Sequence, residues 1–382
     1  MYSNKILAGT LLVSIFGDAY IVSTTGVNFK QYGVLFFIFL ALFNFKTVTY
    51  DNKIANRFTL WSFFLLFVSY PFWDSAYNAY SYIGVFVAFL GFYNAENEIK
   101  IYLKYIFYIS ILLASIEYVT GEYIFDSSFI NSLTNETVII NEKYSEGSIG
   151  VFRSKAIFYG PTSFGVFLIG VSVIYSKNLN ILIFALFGAF LANSRTGILI
   201  IIILILRKVY LMNLTKKFFI FIILFISLLF LSSLELKNKS LIVSFSRISD
   251  TFMTSSGSNA LRIYFWQKAI NLYSNYSFTH LIFGNNGKFN IKYKSGTESG
   301  WLSLLVDNGI IGFAYYFIAF FTTIYNRIKN SDIVFNTIII MLVMIIITYH
   351  LSATSNFILW FTIFIFNKDN SYNEDKIYNT KL

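Results

Sequence analysis

Few side chains in this sequence are suited to chemistry, and most of those are arginines and acids set beside long apolar runs. The chain has no Cys and only two His. Thiolate chemistry, disulfides, Cys-ligated zinc and iron–sulfur clusters are therefore excluded, and little is left for a His-rich metal site. What remains is Arg195 in ANSRTG, Arg153 ahead of AIFYGPTSFG, Arg262 in LRIYFWQKAI and Glu298 in TESGWLSLLVDNGIIG. Ionisable groups beside membrane-embedded runs are costly, so they read as functional. A guanidinium grips a phosphate through two parallel hydrogen bonds, where an ammonium is only a point charge. Arg195, flanked by Ser194, Thr196 and Gly197 in a tight connection, is thus a candidate anion clamp; the bland alternative is an arginine snorkelling to headgroups. Arg153 precedes Gly160, Pro161 and Gly165, which bend the chain into a helix start, where free N–H groups favour phosphate. Glu298 stands before an apolar helix, where low-dielectric surroundings raise a carboxylate's pKa and suit it to act as a base. It would otherwise be an acid stabilised by the helix dipole. Trp266 joins the substrate-binding candidates. His280 reads as a binding contact at most, and His350, near a span end, as structural.

These residues need elements to hold them. Of 382 residues, 56% are hydrophobic and only 13% charged, proportions that do not suit a soluble surface. Apolar runs fall at roughly residues 6–22, 32–45, 58–73, 77–93, 100–119, 158–176, 179–193, 196–211, 217–234, 300–325, 333–350 and 351–366. The expected fold is an all-α polytopic membrane protein of about twelve spans forming a single transmembrane domain over residues 1–382. The first run lacks a small-residue cleavage site and reads as a helix rather than a removed signal.

Lys and Arg cluster in alternate short connections: Lys46, Lys53, Arg57, Lys100, Lys177, Arg207, Lys208, Lys216, Lys217, Arg327, Lys329 and Lys368 on one side, only Lys30 and Arg195 on the other. The positive-inside rule then gives an N-in, C-in topology. Two long loops, 120–157 and 235–299, fall outside, the larger between spans nine and ten. Residues 367–382 read as a disordered cytoplasmic tail.

The formal charge of +10 invites an anionic partner, although a composition rich in Phe, Ile, Tyr, Asn and Lys also arises from codon bias. The larger loop carries eight Lys and Arg against three acids, on the side where topology gives no reason for it. Within it, Ala260 to Tyr273 reads as an amphipathic helix through Leu261, Phe265, Ala269 and Leu272, with Trp266 at headgroup depth. GNNGK is too short for a phosphate-binding loop of the ATPase kind, and no D-x-D pair offers a metal to a nucleotide-sugar transferase. No internal repeat is visible.

The order of these segments resembles the O-antigen polymerase and O-antigen ligase superfamily of bacterial envelope enzymes. The resemblance covers about 145–350: Gly150 to Arg153 before GPTSFG, then NSRTG, then LRIYFWQKAI with HLIFGNNGKF, then ESGWLSLLVDNGIIGF. The ligase branch places a His-Asn pair where this chain has Glu298 and Ser299, which favours the polymerase branch. Thr162 replaces the family's usual Asn after Pro161.

The resemblance implies a GT-C-like, membrane-embedded glycosyltransferase without cofactor or metal, facing the outside of the bacterial cytoplasmic membrane. Its substrates would be undecaprenyl-pyrophosphate-linked oligosaccharide repeat units. Its partners would be membrane lipids, a flippase and a chain-length regulator of the same pathway, with no nucleic acid. In that setting Arg195, with Arg153 or Arg262, would stabilise the departing pyrophosphate, and Glu298 would accept the proton of the acceptor hydroxyl. Ligation of finished polymer, or export of lipid-linked sugars, are the alternatives.

Overall fold

The computed structural model describes residues 2–16, 35–41, 53–76, 79–125, 128–130, 137–139, 152–158, 160–213, 257–346 and 353–368. The expected span at 217–234, most of the first long loop, His350 and the tail beyond residue 368 lie outside them. The described chain is mostly helical: α1 (Tyr2–Phe16), α2 (35–41), α3 (Lys53–Ser69), α4 (Tyr80–Thr120), α5 (Pro161–Ile174), α6 (Leu179–Leu191), α7 (Arg195–Tyr210), α8 (Gly257–Ser274), α9 (Phe278–Phe283), α10 (Lys288–Tyr293), α11 (Gly300–Asn326), α12 (Ser331–Ile346) and α13 (Ala353–Phe366). Two helices, Ser81–Thr120 and Gly300–Asn326, are long and apolar enough to cross a membrane, and several shorter apolar helices accompany them. The all-α expectation needs one correction. In the first long loop, β1 (Ser128–Ile130) pairs antiparallel with β2 (Thr137–Ile139), a wholly β-branched stretch, as a two-stranded sheet.

The 41-residue α4 is not one straight rod. At about 1.5 Å per residue it would reach far beyond a bilayer, but Ala95 leaves the helical region (φ −151°, ψ 35°). The chain reverses there. Ser81 meets Asn356 and Tyr316 at one end of the bundle, and Glu117 meets Lys155 at that same end. Glu96 and Lys100, near the reversal, meet Lys368 and Tyr175 at the opposite end. The apolar runs 77–93 and 100–119 are thus joined without a loop, and Glu96 anchors the reversal through Lys100 and, at 2.6 Å, Lys368.

That opposite end also gathers Arg207 against Asp332 at 3.1 Å and Arg327 bonded to the Phe366 carbonyl at 2.8 Å. The basic residues read from sequence as lying on one side therefore include several that the fold gathers at one end. The core between the ends is almost wholly apolar, led by Phe107, Phe164, Phe167, Trp360, Phe361 and Leu168. One buried polar set within it joins three elements: the Tyr316 hydroxyl lies within hydrogen-bond distance of Asn356 Oδ1 (2.8 Å) and Ser81 O, and Asn356 Nδ2 donates to Ser81 O (3.1 Å). Gly84 leaves the room that the Asn356 amide occupies.

The tenth expected span, α11, is interrupted. Gly309 has φ 66°, a left-handed conformation open to glycine, and a Cβ there would collide with the Ile282 carbonyl. Broken backbone at such depth needs partners from elsewhere in the protein. The turn between α9 and α10 supplies them. Asn285 N–H donates to the Val306 carbonyl (3.0 Å), and buried Asp307 takes Gly287 N–H (3.1 Å) and the Ser303 hydroxyl (3.2 Å).

Candidate functional site

The end of the bundle bearing the candidate residues follows from two antiparallel pairings. The last turn of α7 meets the first turn of α12 through Arg207 and Asp332, so Arg195, at the start of α7, lies by the far end of α12. Gly300, first in α11, packs on Met344 near that far end, and Trp301 Nε1 donates to the Met341 carbonyl at 3.0 Å. Arg195 and Glu298 therefore share one end.

One cluster joins three residues singled out from sequence. Arg262 Nε stands 3.9 Å from Glu298 Oε2, and Trp266 Nε1 donates to the Glu298 backbone carbonyl at 3.1 Å. α8 presents Arg262 and Trp266 one turn apart on the same side. The carboxylate and guanidinium are largely screened from solvent, at 15% and 25% exposure. At 3.9 Å they attract each other without a direct hydrogen bond between those atoms. Glu298 itself holds φ 59°, a conformation costing a non-glycine residue roughly 1 kcal/mol or more. The indole N–H thus turns toward Glu298. The α8 pattern is corrected: Ala269 and Leu272 are buried, with Phe265 packed beside them, but Leu261 is exposed. Leu261, Tyr264 and Ile270 are exposed at different angles around α8, so its apolar side chains are not confined to the packed stripe.

A second cluster surrounds the α6–α7 turn. Ser194 caps α7, its Oγ accepting Gly197 N–H at 3.3 Å, and Gly165 of α5 lies so close to Ser194 that a Cβ would strike its side chain. Arg153 Nε donates to the Ala192 carbonyl at 3.2 Å, and Ser154 N–H to Leu191 at 3.0 Å. The segment carrying Arg153 is thereby strapped to the turn that carries Arg195. Underneath, fully buried Glu117 takes the N–H groups of Lys155 (2.8 Å) and Ala156 (2.9 Å) with Oε2 and that of Ile124 (3.3 Å) with Oε1. Lys155, also fully buried, sits with Nζ 4.8 Å from the Tyr123 ring centre.

His280 lies apart from both clusters. Its Nε2 is 2.8 Å from the Phe72 carbonyl and its Nδ1 3.2 Å from the Ser277 hydroxyl, a pattern in which Nε2 carries the hydrogen. It fastens α9 to the segment after α3. The same seam holds Phe72 stacked on Phe283, Trp73 Nε1 bonded to the Phe283 carbonyl (2.9 Å), and Asp74 bonded to Asn285 (3.0 Å) and Lys288 (2.6 Å). The Lys288 and Asn285 hydrogen bonds hold the Asp74 carboxyl below its ordinary pKa.

Sequence reasoning missed Asp74, Glu117, Lys155 and Asp307. Glu117 and Asp307 had a signal: each is an acid inside an apolar run. Asp74 stood in the gap between two runs, and nothing local connects it with Lys288, more than two hundred residues on.

The family model described as O-antigen ligase matches residues 181–317. The match supports the O-antigen polymerase and ligase superfamily. It spans Arg195, Arg262, Trp266, His280 and Glu298, and ends within α11 beyond Gly309; Arg153 lies before it. Members of this superfamily are glycosyltransferase-like enzymes, and the two long apolar helices with their shorter companions are compatible with a membrane protein of that kind. No curated protein matches the chain at significant similarity.

Proposed function

We propose that the protein is a polysaccharide polymerase of the cytoplasmic membrane, moving a growing glycan from a polyprenyl pyrophosphate onto the next lipid-linked repeat unit. The observation that carries this is the Arg262–Trp266–Glu298 cluster inside the family-matched segment. A glycosyl transfer from a pyrophosphate needs positive charge at the leaving group and an acceptor for the hydroxyl proton. Arg195 and Arg153 at the α6–α7 turn supply the first, Glu298 the second, and Arg262 holds the carboxylate between turns of the reaction. Glu298-Ser299 in place of a His-Asn pair favours polymerase over ligase. Gathering of Lys100, Arg207, Arg327 and Lys368 at the end opposite Arg195 and Glu298 supports an outward-facing site with both termini inside.

Deleting the gene in its own organism tests the reading. Loss of a polymerase leaves single repeat units on the lipid core. Loss of a ligase leaves polymer unattached to the core, and loss of an exporter leaves neither; either of those patterns overturns the proposal.

A further inference from the structure

Asn193 is an unexplained residue in the turn between α6 and α7. It is 4% exposed, and among the described residues neither Nδ2 nor Oδ1 has a hydrogen-bond partner. Buried amide groups are nearly always satisfied, so a side chain with both its donor and its acceptor unmet calls for a reason. One reason lies in the backbone: Asn193 has φ 47°, and asparagine tolerates the left-handed region better than most residues. That accounts for a small polar residue, but glycine would serve the turn better, and a buried carboxamide is no help to it.

The surroundings supply a second reason. Ala192, one residue before, is gripped by Arg153, and Arg195, two residues after, begins a 16-residue helix whose N-terminus favours anions. Ser194, between them, gives one lone pair of its hydroxyl to the helix cap. An anion held at this corner by two arginines would have in Asn193 a neutral neighbour in the turn whose donor and acceptor are both unspent. A phosphate only accepts at neutral pH; a sugar hydroxyl does both.

We infer that Asn193 is a specificity-determining residue that reads a hydroxyl of the sugar attached to the phosphate held at the Arg153–Arg195 corner. This rests on the anion-binding reading of that corner given above. The ligand class is a glycosyl phosphate, with the arginines taking the phosphoryl oxygens and the carboxamide taking the sugar.

The test uses the full-length protein in detergent and two probes, inorganic pyrophosphate and a hexose 1-phosphate chosen from the sugars of the native repeat. Binding is measured by calorimetry for the wild type, Asn193→Gly and Asn193→Asp. Glycine suits φ 47° at least as well as asparagine, so Asn193→Gly keeps the fold, which its melting temperature checks. The expected result is at least a 10-fold weaker hexose 1-phosphate affinity in Asn193→Gly with pyrophosphate affinity within 2-fold. Asn193→Asp, placing a carboxylate between the arginines, weakens both probes. Unchanged hexose 1-phosphate affinity in Asn193→Gly overturns the inference while leaving the anion site standing. An equal loss for both probes also overturns it, since Asn193 would then be holding phosphate. Wild-type protein that binds neither probe removes the anion site and the inference with it.

Discussion

Arg262 faces Glu298 across 3.9 Å, bringing a residue of α8 to the threshold of α11. The two are far apart in sequence, and the carboxylate sits at 15% exposure beside the guanidinium. Glu298→Gln keeps the shape and removes the proton acceptor. Polymer yield in membranes should then fall about 100-fold or more, the usual scale for a lost general base. Polymer ladders of wild-type intensity would show that the base lies elsewhere or that the reaction needs none.

Arg195→Lys tests geometry against charge. The lysine keeps the positive charge at the start of α7 but loses the planar fork. Polymer formation should drop about 100-fold while the amount of protein in the membrane stays the same, as for removal of one preorganised donor. Full activity in this variant sinks the phosphate-clamp role.

Glu117 makes a different kind of prediction. Its carboxylate takes three backbone N–H groups of two outer segments and lies near the buried Lys155 amine. Leaving a buried N–H group without its acceptor costs about 1–3 kcal/mol. Glu117→Ala should therefore lower the melting temperature in detergent sharply, and Glu117→Gln, which retains an acceptor oxygen, should lower it less. Equal stability of all three proteins would mean that these bonds do not hold the Arg153 segment.

Much of this arrangement was legible in the sequence, and the reasons are instructive. Hydropathy marks where helices run because a lipid-facing helix must be apolar throughout, so the runs read at 158–176, 179–193 and 196–211 fall on the helices at 161–174, 179–191 and 195–210, to within three residues at each end. Arg262, Trp266 and Glu298 were each visible as polar or aromatic residues where cost demands a reason. Their meeting was not visible, because α8 and α11 are brought together by tertiary packing through Phe289, Ala269 and Val306. The Asp74 seam was hidden for the same reason. Arg153 was readable as a charge, but its strap to Ala192 uses a backbone carbonyl, which carries no sequence signature.

The Asp74 seam has a pH signature. The carboxyl pKa is lowered in the fold, first by the Lys288 hydrogen bond and then by that of Asn285. A depressed folded pKa means the stabilising contribution is complete above the ordinary value near 3.8 and is lost as pH falls through the lowered folded value. Both side chains are more than 40% exposed, so the effect is small. The difference in melting temperature between wild type and Asp74→Asn should shrink as pH drops from 5 to below the ordinary value. A difference that stays constant over that range shows that the charge contributes nothing.

Gly309→Ala should abolish accumulation of folded protein, because the added methyl meets the Ile282 carbonyl as well as the left-handed backbone penalty. Gly121, which is also left-handed (φ 71°) but has open space around it, makes the control: Gly121→Ala should be tolerated with a cost of about 1 kcal/mol. Expression and size-exclusion profiles of the two variants decide the matter.

The break at Gly309 also sets what can be transplanted. Residues 300–308 are bonded to the turn at 284–287, and that turn is stitched in turn to 72–75. A graft designed to exchange donor or acceptor preference by swapping only the outer loop would cut through all of these bonds. The smallest exchangeable cassette joins two stretches that are separate in the gene, 70–76 and 257–309, so chimaeras that exchange the loop alone should misfold where chimaeras that carry both stretches together remain intact.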